Sequence, residues 1–304
     1  MEPFQLHILG CGSALPTLRH FPTTQVVDCR GKLFMVDCGE GAQLQMRRAH
    51  ISFNKLGHIF VSHLHGDHCF GLIGMLSTFG LLGRTAPVHV YGDQALGAML
   101  TYLMQTFCHD TSFEVEFHPV DTTQRQVVYE DRSLTVESLP LCHRMPCCGY
   151  LFREKPLLPH IRRDMIDLYG IPTSQIQNVK MGADYVMADG TVIPNARLVT
   201  PAEAPRSYAY VSDTKYLPSL AGELTGVSTL YHEATYTNDY QVMAEKYYHS
   251  TARQAALLAR EAGVGQLLLG HYSSRYDDEQ VLLREAQEVF PATKLTCEYD
   301  VIDI

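Results

Sequence analysis

The sequence predicts an α+β fold in which mixed sheets are covered by helices, and three observations carry that prediction. Short apolar or β-branched runs recur, bounded by Gly, Pro and Asp. Helix-like stretches are interspersed among them. Strands outnumber helices early in the chain and alternate with helices at its end, unlike a simple doubly wound fold. In chain order the predicted strands are Phe4–Leu9, Thr24–Val27, Leu33–Val36, Ile59–Val61, Val88–Tyr91, Phe113–Phe117, Leu134–Leu139, Tyr208–Val211 and Gln266–Leu269. The predicted helices lie near Ala42–Ala49, Asp67–Leu82, Gln94–Gln105, Ala252–Ala262 and Asp278–Val289. The fourth carries the clearest signals: a Thr251-x-x-Gln254 capping box, an Ala/Leu-rich interior, and Gly263 placed to end it in left-handed geometry.

At 304 residues, 46% hydrophobic and 19% charged, the chain has enough apolar side chain for a large core. That composition excludes a disordered, collagen-like or coiled-coil protein. No apolar run reaches the length of a membrane span, and Cys69–Leu82 is broken by three glycines. The start, MEPFQLHILG, lacks the features of a signal peptide. Nine cysteines, without a C-x-x-C, fit reduced thiols in a cytoplasmic protein. The net charge of −9 excludes a uniformly basic coat but leaves room for a local basic patch. One domain is expected over residues 1–304, with an arm inserted at 153–195. There prolines punctuate two short helix candidates, and Arg153, Lys155, Arg162, Arg163 and Lys180 outnumber the acidic residues up to Lys180. A solvated surface excursion is the plainer reading of the same stretch.

Histidine, at 15 copies, is clustered. After the strand His58–Ser62 come His63, His65, Asp67 and His68, four ligand-type side chains within six residues. In extended chain His63 and His65 point to one side, and a turn at Gly66 brings Asp67 and His68 toward the same centre. One tetrahedral zinc does not readily use all four, whereas two adjacent metals can. His143, Asp213 and His271 each lie just beyond an apolar strand, where α/β architectures gather functional groups. Two zinc ions, with Mn or Fe also compatible, would then be held by five imidazoles and two carboxylates, Asp213 bridging. Counting a hydroxide, the centre carries about +1 and attracts an anionic ester.

This pattern resembles the metallo-β-lactamase superfamily, whose first motif Asp37 also matches. The resemblance implies an αββα four-layer sandwich with a two-metal site at one edge of the sheets. Neighbouring motifs narrow it to the ribonuclease Z family of tRNA 3′-processing endonucleases. They are Leu9 to Thr17, Asp37 to Gln43, His232-Glu233-Ala234-Thr235 and His249-Ser250-Thr251. The family's Gly/Pro-rich stretch is absent from the matching arm segment, Ile171 to Gln177. The resemblance implies a homodimer acting on precursor tRNA. The 3′ trailer would be removed by a metal-bridging hydroxide, leaving a tRNA 3′-hydroxyl and a trailer 5′-phosphate, and the arm would bind tRNA. Asp67 is expected to hold and deprotonate the water. His249, oriented by Glu233, is expected to protonate the leaving oxygen, helped by the helix N-terminus that follows it. Three alternatives stay open: a small-molecule ester hydrolase (phosphodiesterase, arylsulfatase, thioesterase or lactonase), a β-lactamase, and an RNA-binding scaffold without chemistry.

Overall fold

The structure, a computed structural model, describes residues 3–304. The chain opens with antiparallel β1 (Phe4–Gly10), β2 (Thr24–Cys29) and β3 (Lys32–Cys38). Parallel β4 (Leu56–Phe60), β5 (Val88–Gly92) and β6 (Val115–Pro119) extend the sheet. Their connections contain α1 (Ala42–Arg48), α2 (Gly66–Cys69), α3 (Leu72–Leu81) and α4 (Gln94–Phe107). A second sheet starts with β7 (Gln126–Glu130), β8 (Leu134–Pro140) and β9 (Cys148–Glu154).

Residues Glu154–Pro205 form a compact unit of their own. It contains β10 (His160–Ile161), α5 (Arg163–Tyr169), α6 (Thr173–Lys180), β11 (Tyr185–Val186), β12 (Val192–Ile193), α7 (Asn195–Leu198) and β13 (Val199–Thr200). Antiparallel β10 and β13 close it, and Ile171, Val179, Ile193 and Leu198 make a small core. Its charge balance is five basic to six acidic residues, so the unit as a whole carries no basic surplus.

The larger unit resumes with β14 (Ser207–Val211), antiparallel to β9, then parallel β15 (Thr229–Glu233), β16 (Gln266–Gly270) and β17 (Thr293–Leu295). Among these run α8 (Leu220–Glu223), α9 (Gln241–Tyr247), α10 (Ala252–Ala262) and α11 (Gln280–Gln287). Finally β18 (Val301–Asp303) pairs with β1. Two seven-stranded sheets result, ordered β18-β1-β2-β3-β4-β5-β6 and β17-β16-β15-β14-β9-β8-β7.

The sheets meet face to face. Phe34, Phe60 and Tyr91 of the first share one buried cluster with Tyr150, Phe152, Tyr208 and Tyr210 of the second. With no Trp in the chain, Phe and Tyr supply the bulk, each worth roughly 1.5–3 kcal/mol of burial. The buried phenols need partners. Tyr150 donates to the Val61 carbonyl at 2.8 Å, Tyr210 to Asp37 Oδ2 at 2.5 Å, and Tyr208 to Gln25. Residues of α1, α3 and α4 join a separate cluster with the opposite face of the first sheet, and α10 and α11 pack with the second. The fold is therefore the expected four-layer sandwich.

Nine strands have no expectation from local pattern: β7, β9, β15, β17 and β18 of the large sheets, and β10, β11, β12 and β13 of the smaller unit. The helix expected over Asp67–Leu82 is interrupted at Phe70 and Gly71. At Gly71 the backbone passes close to another strand end: a Cβ there would lie 1.9 Å from the Gly39 carbonyl oxygen. The Gly71 N–H donates to the Cys38 carbonyl at 2.9 Å. Gly71→Ala must push α2 off β3, and such overpacking costs about 1–3 kcal/mol. Thermal unfolding of this variant is expected to fall by about 3 °C or more, read by calorimetry.

Candidate metal centre

The parallel strands β4, β14 and β16 end at one edge, and the polar residues that follow them converge. His63 and His65 leave β4 in extended chain, and α2 then turns Asp67 and His68 back toward them. His143 follows β8, Asp213 follows β14, and His271 follows β16. All seven expected ligands meet.

They sort into two groups. In the first, His63 Nε2 lies 3.0 Å from His65 Nδ1, and His143 Nε2 lies 3.1 Å from that same atom. Asp213 Oδ2 lies 3.6 Å from His63 Nε2 and 3.7 Å from His143 Nε2. In the second, Asp67 Oδ2 lies 3.3 Å from His68 Nε2 and 3.5 Å from His271 Nε2. Asp213 Oδ1 lies 3.4 Å from His68 Nε2 and 3.0 Å from His271 Nε2. Asp213 thus turns one oxygen to each group. Ligands about 2.1 Å from a tetrahedral zinc sit about 3.4 Å apart, so these separations fit a cation in each group. Asp67 Oδ2, His68 Nε2 and His271 Nε2 are buried without hydrogen-bond partners, and all three face the second group's centre. Such orphaned atoms are what a divalent cation satisfies.

The other nitrogens of four imidazoles are fixed from outside. His68 Nδ1 donates to Asp37 Oδ2 at 2.6 Å, and Asp37 also accepts from Ser62 N at 2.7 Å. Ser62 Oγ donates to Asp37 and faces His63 Nδ1 at 3.0 Å. His143 Nδ1 donates to the Tyr248 carbonyl at 3.0 Å. His271 Nδ1 donates to Thr235 Oγ1 at 2.9 Å, which donates to Glu233 Oε2 at 2.5 Å. Asp37, Asp213 and His271 all adopt left-handed backbone, with φ of 57°, 56° and 58°. Each such residue costs of order 1 kcal/mol, strain of the kind that gathers at functional sites.

Burial would push the Asp213 carboxyl up, but His271 and His68 outweigh it and hold it well below the usual range. Burial likewise opposes ionisation of Asp67, and His68 and His271 overcome it. The same carboxylates raise His68 and His271 against their burial. His63, His65 and His143 are lowered, chiefly by burial.

Beside the centre opens a cleft of about 340 Å³, lined by Ser13, Arg144, Tyr236, Tyr247, His249 and Ser273 together with ligands. The fully buried Glu233 carboxylate faces His249 Nδ1 with both oxygens, at 3.0 and 3.1 Å. Burial would lower His249, and the Glu233 charge more than reverses this. The helix terminus after His249 is closed to ligands: Ala252 N bonds the Tyr236 carbonyl, Arg253 N bonds Glu285, and Gln254 N bonds Thr251. His249 itself, rather than the helix end, therefore presents the polar group to the cleft.

Of the expected cations, Arg153 lies on β9 in the larger unit, opposite Ser207. Lys155, Arg162, Arg163 and Lys180 belong to the smaller unit, where Arg162 pairs with Asp164 at 2.7 Å. Sequence reasoning missed Thr235 and Arg144. Thr235 closes a motif already singled out, but its junction role depends on tertiary contacts. Arg144 adjoins His143 and stacks over Tyr247 at 4.9 Å.

A family model described as Anti-Pycsar protein Apyc1 matches residues 4–158, which include His63 to His143 but stop short of Asp213, Glu233, His249 and His271. Curated relatives match nearly the whole chain. Ribonuclease Z of Bacteroides fragilis is 56% identical over 298 residues, covering 98% of each chain. That of Phocaeicola vulgatus is 53% identical over 98% of this chain and 96% of its own. That of Porphyromonas gingivalis W83 is 49% identical over 100% of both. Among solved structures, human tRNase Z, short form, is similar with a TM-score of 0.71 at 22% identity, covering 99% of each chain. The metallo-β-lactamase fold protein YhfI from Bacillus subtilis has a TM-score of 0.69 at 19% identity, covering 99% of this chain and 100% of its own.

Proposed function

Because this chain belongs to the ribonuclease Z family, we propose that it is the endoribonuclease that removes the 3′ trailer from precursor tRNA. The cut would leave a 3′-hydroxyl on the tRNA and a 5′-phosphate on the trailer. The observation that carries the reading is Asp213, which turns one oxygen to each of two ligand groups beside the Glu233–His249 pair. His63, His65, His143 and Asp213 would hold one zinc-type cation; Asp67, His68, His271 and Asp213 would hold the second. When bound, the two ions supply water activation and charge neutralisation at phosphorus.

The protein's own groups do the rest. Asp67 presents Oδ2 to His68 and His271, and its other oxygen is the base that orients the attacking water and takes its proton. Arg144, on the cleft wall, neutralises a phosphate oxygen. Glu233 holds His249 by Nδ1, so Nε2 is the nitrogen that delivers a proton to the departing 3′ oxygen. Thr235 couples Glu233 to His271, keeping acid and ligand in one register.

The smaller unit is assigned to the tRNA body, through Lys155, Arg162, Arg163 and Lys180, with Arg153, which precedes it in the chain, as a further contact. The enzyme would act as a cytoplasmic homodimer whose second subunit adds to the tRNA contact. No helix among the described residues is long and apolar enough to cross a membrane.

The test sets a 3′-extended precursor tRNA beside bis-p-nitrophenyl phosphate, with zinc-loaded wild type and an Arg162→Ala/Arg163→Ala variant. Wild type is expected to release the trailer at one position. Removing two phosphate contacts should raise KM for tRNA about 5- to 20-fold and flatten its salt dependence, leaving small-diester turnover unchanged. Diester turnover without tRNA cleavage would move the assignment to a small-molecule phosphodiesterase.

A further inference from the structure

Three histidines outside the centre, His58, His89 and His118, have no part in the reaction, yet the first sheet gathers them. His58, His89 and Glu116 are register partners across β4, β5 and β6, and His118 lies two residues beyond Glu116 on the same face. The His58 and His89 rings stack at 4.8 Å, and His118 stacks on Tyr91 at 4.5 Å. His58 Nδ1 is engaged by the Tyr91 hydroxyl at 3.2 Å. The other three residues converge: His89 Nδ1 lies 3.1 Å from His118 Nε2 and 3.4 Å from Glu116 Oε2.

We propose that His89, His118 and Glu116 form a second, separate metal site for one transition-metal ion of the zinc class, with water as the fourth ligand. Three heteroatoms of ligand type lie within 4.8 Å of one another, with the two closest edges near the roughly 3.4 Å of tetrahedral zinc. A single proton on His89 Nδ1 cannot serve both His118 and Glu116 well, whereas a cation about 2.1 Å from each can. Two neutral imidazoles and one carboxylate leave a divalent ion at +1, and imidazole donors favour zinc over Mg²⁺ or Ca²⁺. The side chains of His89 and Glu116 are 26% and 47% exposed, so ion and water have a route in. Along β4 the row at His58 is five residues from His63, on the order of 16 Å, so the two sites do not share ligands. An ion here would tie the edge strand β6 to β5; no residue of β6 is fully buried.

The experiment uses the full chain and zinc alone. Bound zinc is counted after gel filtration for wild type, His118→Asn and His89→Gln, and zinc anomalous scattering is measured on wild-type crystals. The expected result is one zinc equivalent fewer in each variant, tRNA cleavage retained, and an anomalous peak between His89 Nδ1 and His118 Nε2. Equal zinc counts with no peak there would overturn the proposal and leave a hydrogen bond between two neutral imidazoles. The readout is a difference between wild type and variant, so it does not depend on how many ions the main centre holds.

Discussion

Asp213→Asn is expected to abolish both trailer removal and small-diester hydrolysis, lowering each by at least about 10⁴-fold, while the chain stays folded. The choice of Asn matters. Asp213 sits at φ 56°, where Asn is tolerated nearly as well as Asp, so the substitution isolates charge from backbone strain. The carboxylate faces four imidazoles, His63 and His143 through Oδ2 and His68 and His271 through Oδ1. An amide offers one oxygen acceptor and turns its NH₂ toward the other group, repelling the cation it should help bind. Five imidazoles would then share one carboxylate, Asp67, and at least one ion should be lost. Water activation and charge stabilisation are each worth about 10²–10⁴ in rate, and both fail together. Metal content by mass spectrometry, with turnover of both substrates, checks this. Full metal occupancy with wild-type turnover would show that Asp213 is no bridge.

The convergence of these seven side chains was legible in the sequence because their placement is local. His63, His65, Asp67 and His68 fall within one strand-to-helix turn, and His143, Asp213 and His271 each follow a strand end. What was not legible was the cross-chain geometry. Nothing at Asp37, Asp213 or His271 announces a left-handed backbone. β18 is three residues long and gains its place only by pairing with β1, almost the whole chain away. β15 carries His232 and Glu233, which broke the apolar pattern, although burial on both faces and parallel neighbours make it a strand. The Asp67–Leu82 periodicity ran through Gly71 because a close backbone approach at Gly39 leaves no trace in hydropathy. The pairing of His89 with His118 is invisible in sequence for the same reason: register across strands, not spacing along them, brings them together. The help expected from the helix N-terminus after His249 does not arise, because Tyr236, Glu285 and Thr251 already take the free N–H groups.

Replacing the proposed acid, His249, is expected to separate substrates instead of silencing both. His249→Ala is expected to slow trailer release by about 10²–10⁴-fold while leaving bis-p-nitrophenyl phosphate turnover within about 5-fold of wild type. The asymmetry follows from the leaving group. A ribose 3′ oxygen departs as a strongly basic alkoxide unless a proton reaches it, whereas p-nitrophenolate leaves readily as its anion. His249 lines the cleft, and Glu233 occupies its Nδ1 with both oxygens, so only Nε2 is placed to give that proton. Glu233→Gln should show the same selectivity at smaller size, about 10- to 100-fold, because the imidazole stays but loses its charge partner. A purely structural role for the pair would instead lower both substrates in parallel, through loss of the Thr235 link to His271 and hence of metal. The ratio of the two substrates' kcat values, measured at matched zinc occupancy, therefore decides between a proton donor and a brace.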